Sequence, residues 1–215
     1  MTKPATPAER FLELAILHVN AGQPDRAQVI CQHALAAHPS HPAVLQLLAQ
    51  LQFEIGELDE AEQHIAASLA TRPDHASSLF VAGGVARAQG RLAAAEQHFS
   101  RVTALLPTHG NAWFELALVR QDLSDFDGAA DALFQLLRVA PPRAEIEVNL
   151  GIVLQEAGRM EEAMAAYGRA YRLRDDTFGR IAHALSTPSA GRLWLNLDDL
   201  HAALRNTSRG RSTPR

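Results

Sequence analysis

The sequence predicts an all-α fold, a solenoid of five helix-turn-helix repeats, and three observations carry that expectation. Pro39, Pro73, Pro107 and Pro141 are each 34 residues apart. The same step joins Ala27, Ala61, Ala95, Ala129 and Ala163, and it joins the small residues Ala15, Ala49, Gly83, Ala117 and Gly151. Within a unit the apolar residues follow helical spacing, as in Leu45, Leu48 and Ala49 or in Leu150, Val153 and Leu154. A fixed period of this length marks a stack of repeats, each too small to bury its own apolar face alone. The units run 8–41, 42–75, 76–109, 110–143 and 144–177, with no insertion or deletion between them.

Residues 1–7 form a loose N-terminus, and Thr6-Pro7-Ala8-Glu9 opens the first helix. Thr6 is a capping residue, Pro7 suits the first helical position, and Glu9 completes a capping box. In each unit the Ala15-to-Gly151 column falls midway along the first helix, where a small side chain lets two helices approach closely. The Ala27-to-Ala163 column does the same on the second helix. Gly22, Gly56, Gly90 and Gly158, with Ser124 in the fourth slot, fall between the two helices, where a left-handed residue ends the first. The prolines follow the second helix, whose hydrogen-bond ladder they cannot continue.

Beyond the repeats, residues 178–205 form a capping helix and C-terminal extension, and 206–215 are a disordered polar tail. Phe178, Ile181, Ala182 and Leu185 make one helical stripe, suited to closing a stack. Thr187 to Gly191 reads as a turn. Arg192 to Leu197 admits two readings. Leu193, Leu195 and Leu197 alternate as in a strand, whereas Leu193, Leu197, Leu200 and Leu204 make a helical face, with Asp198 and Asp199 in its first turn.

These columns resemble the tetratricopeptide repeat, whose period is 34 and whose pattern runs aromatic, Leu-Gly, Tyr, Ala, Phe, Pro. Trp113 fills the first aromatic slot of the fourth unit, Leu150-Gly151 the Leu-Gly slot of the fifth, and Phe99 and Tyr167 the later aromatic slot. The resemblance covers residues 8–177. No tyrosine holds the first-helix slot, where His18, Gln52, Ala86, Arg120 and Leu154 stand, and Asp175 replaces the fifth proline. The resemblance implies a right-handed α-solenoid whose first helices line a concave groove, and a protein–protein interaction role.

Composition narrows the function. Apolar residues are 47% of the chain and charged residues 20%, enough for a core and too few for a disordered chain. A net charge of −4 argues against nucleic acid as partner. Cys31 is the one cysteine, so no intrachain disulfide forms. No apolar run approaches a membrane span, and Glu13 and His18 interrupt the candidate leader core, so the expected location is cytoplasmic. Charge divides along the chain: residues 1–177 hold 14 basic and 22 acidic side chains, and the remaining 38 hold 6 and 2.

By the same resemblance the groove columns are Leu12, Gln46, Phe80, Phe114 and Val148, and Ile16, Gln50, Gly84, Leu118 and Ile152. Glu13, Phe53, Glu54, Glu115, Asn149, Gln155 and Glu156 lie around them. Phe80 and Phe114 stand out in a chain with 6% aromatics, and Gly84 is expected to open a small pocket beside them. An apolar floor with an acidic rim suits an amphipathic, basic peptide or protein segment. The Lys and Asn clamp with which some relatives hold chaperone carboxylates is missing, since Leu12, Ile16 and Phe80 stand in such slots. Alternatives are a homodimer through residues 192–205 and an accessory subunit of a separately encoded enzyme.

Catalysis is not expected. His41, His75 and His109 are 34 apart, as are His64 and His98, so each set is one column on successive repeats, about 10 Å apart. Metal ligation needs about 2 Å, so the sequence predicts no metal site and no cofactor. No nucleophile elbow or phosphate-binding glycine loop is present, and the 38 residues outside the repeats are too few for a catalytic domain. Cys31 falls in a core column, as a small buried side chain.

Overall fold

The computed structural model describes residues 6–186 and 197–206, with side chains of the last helix described over 200–205. All regular structure there is helical, and it falls into two compact units, Met1–Pro107 and Thr108–Arg215.

The first unit holds three helix pairs: α1 (Pro7–Asn20) with α2 (Pro24–Ala37), α3 (Pro42–Ile55) with α4 (Leu58–Thr71), and α5 (Ala76–Ala88) with α6 (Leu92–Leu105). Proline opens each of the first three helices, where its missing N–H costs nothing. Thr6 and Glu9 form the capping box: the Glu9 N–H donates to Thr6 Oγ1 at 3.3 Å, and the Thr6 N–H donates to Glu9 Oε2 at 2.6 Å. Every pair turns in the same way. The N–H groups of Gln23, Glu57 and Arg91 reach back to the carbonyls of His18, Gln52 and Ala86 at 2.8–2.9 Å, around glycines with φ of 69°, 85° and 74°. That closure needs a left-handed residue, which glycine supplies without strain.

Packing follows the columns. Ala15, Ala27, Cys31 and Ala34 form a buried cluster with Val44, Leu48 and Leu51 of α3. Ala49, Ala61 and Ile65 form the next with Val81, Ala82 and Val85 of α5. In the third pair Gly83 lies under Phe99: a Cβ at Gly83 would sit 2.7 Å from the ring, so nothing larger than hydrogen fits.

The second unit holds α7 (Gly110–Asp122) with α8 (Phe126–Val139) and α9 (Ala144–Glu156) with α10 (Met160–Leu173). A 3-10 turn, Asp175–Thr177, leads to α11 (Phe178–Ser186), and α12 (Leu197–Asn206) follows. The Asp125 and Arg159 N–H groups close the two turns onto Arg120 and Leu154 carbonyls, both at 2.8 Å. Ser124 takes the glycine's place with φ 61°. Gly151 lies under the buried ring of Tyr167 as Gly83 lies under Phe99.

Ile181 and Leu185 of α11 are buried, as are Leu200 and Leu204 of α12. The helix reading of the extension therefore holds from Leu197 onward; residues 192–196, on which the strand reading rests, lie outside the described residues, as does the tail from 207. α12 packs on α10, where the His201 ring stacks on Phe178 at 3.6 Å and both meet Tyr171, and where Arg172 donates to the Leu204 carbonyl at 3.3 Å.

Candidate functional site

In the first unit the expected site residues lie on α1, α3 and α5. Leu12, Gln46, Gln50, Phe53 and Phe80 are half-buried and Ile16 is exposed. Along α3 the polar side chains hold one another, Gln46 Nε2 donating to Gln50 at 3.4 Å and Gln50 Nε2 to Glu54 at 3.1 Å. Residues four apart share a helix face, so this ladder runs along one side of α3. Phe80 is braced from beneath, its ring meeting Phe99 edge-on with centroids 5.6 Å apart. The pocket expected at Gly84 is not open. The Phe53 ring occupies that space, 3.1 Å from where a Cβ would stand. The glycine therefore seats an aromatic ring of the preceding repeat.

In the second unit Phe114, Glu115 and Leu118 of α7 are half-buried, as are Asn149 and Ile152 of α9. Val148 departs from its column: it is 0% exposed and cannot meet a partner. Gln155 is likewise buried and structural. Its Oε1 accepts from the Tyr167 hydroxyl at 3.1 Å, and its Nε2 donates to the Ala184 carbonyl at 2.9 Å, tying α9 to α10 and α11. More of α9 is buried than of α3, nine of its 13 residues against six of 14.

Between α9 and α11 lies a cleft of about 260 Å³ lined by Ile152, Gln155, Glu156, Arg180, His183 and Ala184. Arg180 reaches Asn149 Oδ1 at 3.4 Å. Arg180 and His183 escaped the sequence argument, which gave α11 a capping role only. Their presence makes this rim mixed in charge, whereas Glu13 and Glu54 flank the surface of the first unit.

The histidine columns have a different use from metal binding. The Nδ1 atoms of His41, His75 and His109 accept the N–H groups of Val44, Ser78 and Ala112 at 3.4, 3.3 and 3.1 Å, capping α3, α5 and α7. The available signal was position: each histidine immediately precedes its helix, the place of an N-cap. His64 instead bonds Gln52 at 2.7 Å. Among the described residues no group of three His, Cys, Asp or Glu side chains is placed to hold a metal ion. Burial pushes the Cys31 thiol up to about 11, which keeps it protonated and unreactive at neutral pH. No described helix is long and apolar enough to cross a membrane.

Stacked helix pairs with partly apolar outer faces define a repeat-built protein-interaction scaffold. The sequence matches the tetratricopeptide repeat family over residues 18–79 and again over 114–177, more than half of the chain between them. The chain belongs to the tetratricopeptide repeat family. Among solved structures, the crystal structure of the MamA protein aligns with a TM-score of 0.71 at 18% identity, covering 79% of this chain and 93% of that one. A MamA double mutant aligns at 0.72 and 16% identity, covering 81% and 98%. TTC0263, a thermophilic tetratricopeptide repeat protein of Thermus thermophilus, aligns at 0.57 and 24% identity, covering 84% and 100%. At these identities the likeness is one of fold. No curated protein sequence matches the chain.

Proposed function

We propose that the chain is a non-catalytic adaptor that holds an amphipathic, basic peptide or protein segment on the outer faces of its first helices. The observation that carries this reading is the pair Phe53 and Phe80. Both are half-buried, one seated over Gly84 and the other braced by Phe99, with Glu13 and Glu54 on the same set of helices. Rings fixed in advance lose little entropy on binding, so they make effective anchors. The acidic flank favours a basic partner and speeds its approach. The corresponding residues of the second unit, Phe114, Leu118, Asn149 and Ile152, offer further surface of the same kind, and the α9–α11 cleft adds a site with both charges.

The test is retention of a partner from native lysate by the full chain and by Phe80→Asp and Phe114→Asp, read by mass spectrometry alongside circular dichroism. A partner lost from the variants at unchanged helicity supports the reading. A partner kept by both variants removes these rings from the interface, and loss of helicity assigns them to the core.

A further inference from the structure

One first-helix column, His18, Gln52, Ala86, Arg120 and Leu154, is filled in four repeats and empty in one. His18 Nδ1 meets Gln23 Oε1 at 2.8 Å, Gln52 Oε1 accepts from His64 Nδ1 at 2.7 Å, Arg120 Nη1 donates to the Gly128 carbonyl at 3.1 Å, and Leu154 is buried. Ala86 has only a methyl to offer, and beside it lies a cavity of about 120 Å³ between α4 and α6. Buried Ala82, Val85 and Ala86 of α5 line its floor; half-buried Glu62 and His98 and exposed Arg91 line its mouth. His98 stands one repeat after His64. Where His64 bonds the Gln52 amide, His98 has no hydrogen-bond partner among the described residues. Burial, and then the charge of Arg91, hold its pKa below the ordinary imidazole value, so the ring is neutral and offers one N–H donor and one acceptor. Glu62 and Arg91 pair at 2.7 Å and add a carboxylate acceptor and guanidinium donors to the same rim.

We propose that this cavity is a binding site for a glutamine side chain of a partner polypeptide, held beside His98 as the chain's own Gln52 is held beside His64. The amide carbonyl accepts from His98, the amide NH2 donates to Glu62, and the methylenes lie on the apolar floor of α5. The chemistry of the rim selects the ligand. A carboxylate of the same shape has no proton to give Glu62 and is repelled by it. An aliphatic side chain covers His98 without pairing it, and an unpaired covered polar group is costly. A primary amide carries a donor and an acceptor on one planar group and satisfies both sides. Size sets the ligand's class: the cavity is well below the roughly 300–1,000 Å³ of sites for free small molecules, so it takes one side chain. The site lies between second helices and is separate from the first-helix surface proposed above, so a partner can use either or both.

The test uses the full chain and three acetylated, amidated alanine pentapeptides that carry glutamine, glutamate or leucine at the centre. Each is titrated to about 20 mM, the range a single side chain's contacts imply. NMR reads the methyls of Ala82 and Ala86 and the imidazole of His98. The glutamine peptide is expected to give saturable shifts at all three, with an affinity at least about fivefold above the other two, the weight of one or two hydrogen bonds. Ala86→Gln supplies the amide from within, as Gln52 does one repeat earlier, and is expected to abolish the response at unchanged circular dichroism. No saturable shift with the glutamine peptide, an equal response to the three peptides, or a response kept by folded Ala86→Gln overturns the proposal. The peptide comparison on the native chain decides the matter even where that variant does not fold.

Discussion

The α3–α4 and α5–α6 pairs share one register and fill the crossing of their two helices differently. In the first, Ala49 faces Ile65; in the second, Gly83 faces Phe99. The filling between the two helices is exchanged, a methyl and a branched aliphatic for a hydrogen and a ring. The same rule runs through the chain, with Gly151 under Tyr167 and with buried Ala15 and Cys31 in the same positions of the first pair. The difference reaches the surface. Phe99 is large enough for its ring to meet Phe80, whereas the equivalent of Phe80 in α3 is Gln46, held in a polar ladder. In the α5–α6 pair the core ring thus also braces an aromatic on the outer face.

The largest test of that difference is Phe99→Ala. Removing a fully buried ring costs about 3–5 kcal/mol, read from the urea midpoint, and it also frees Phe80, so partner affinity falls with stability. A loss under about 1 kcal/mol would show that the helices collapse onto Gly83, and the crossing would not be set by volume.

A sharper test exchanges the filling. Gly83→Ala alone forces a methyl against the Phe99 ring and is expected to cost about 1–3 kcal/mol. Phe99→Leu alone leaves a void, at about 1–2 kcal/mol. The double variant reproduces the Ala and aliphatic pairing of α3–α4, and a coupling above about 1 kcal/mol in its favour is expected from a double-mutant cycle. Strict additivity would break the comparison.

The smallest effect concerns the caps. His41 and His75 both cap the first helix of their pair, but His75 also meets the Ser78 hydroxyl at 2.9 Å, and Ser78 Oγ in turn meets Ser68 Oγ at 3.1 Å. Burial, and then the charge of Arg72, hold the His75 pKa below the ordinary imidazole value. The unfolded chain, with a histidine pKa of about 6.5, then binds more protons than the folded one. The cap contributes fully above that pH, and its contribution is lost as pH falls through the lower folded value. His75→Ala is expected to cost about 1 kcal/mol at neutral pH. His75→Asn keeps an accepting cap and flattens this part of the stability–pH curve, measured by thermal melts between pH 7 and pH 5.

The helices were legible in the sequence because prolines, glycines and small residues recur in columns, and each column has a steric cause that acts on one repeat at a time. Asp198 and Asp199 at the start of α12 were legible for the same local reason. The surface was read less completely, because exposure depends on neighbours outside the register. Val148 follows its column in sequence but is buried, and Gln155 is drawn inward by its bonds to Tyr167 and Ala184, which nothing local announces. Gly84 read as a vacancy because nothing local shows that Phe53, 31 residues earlier, points its ring there. The histidine caps were hidden by chemistry: imidazole is a less usual cap than Ser, Thr, Asp or Asn.

The reach of the contacts has a consequence in time. Turn closures join residues five apart, the Gly83–Phe99 crossing joins residues 16 apart, and a long side-chain tie such as Arg159 to Asp127 spans 32. A chain whose contacts are this local folds fast, on the microsecond-to-millisecond scale of helical proteins, and opens from an end without unmaking the rest. The α1–α2 pair has a packed neighbour on one side only, so its amide protons are expected to exchange with heavy water before those of α3 and α5.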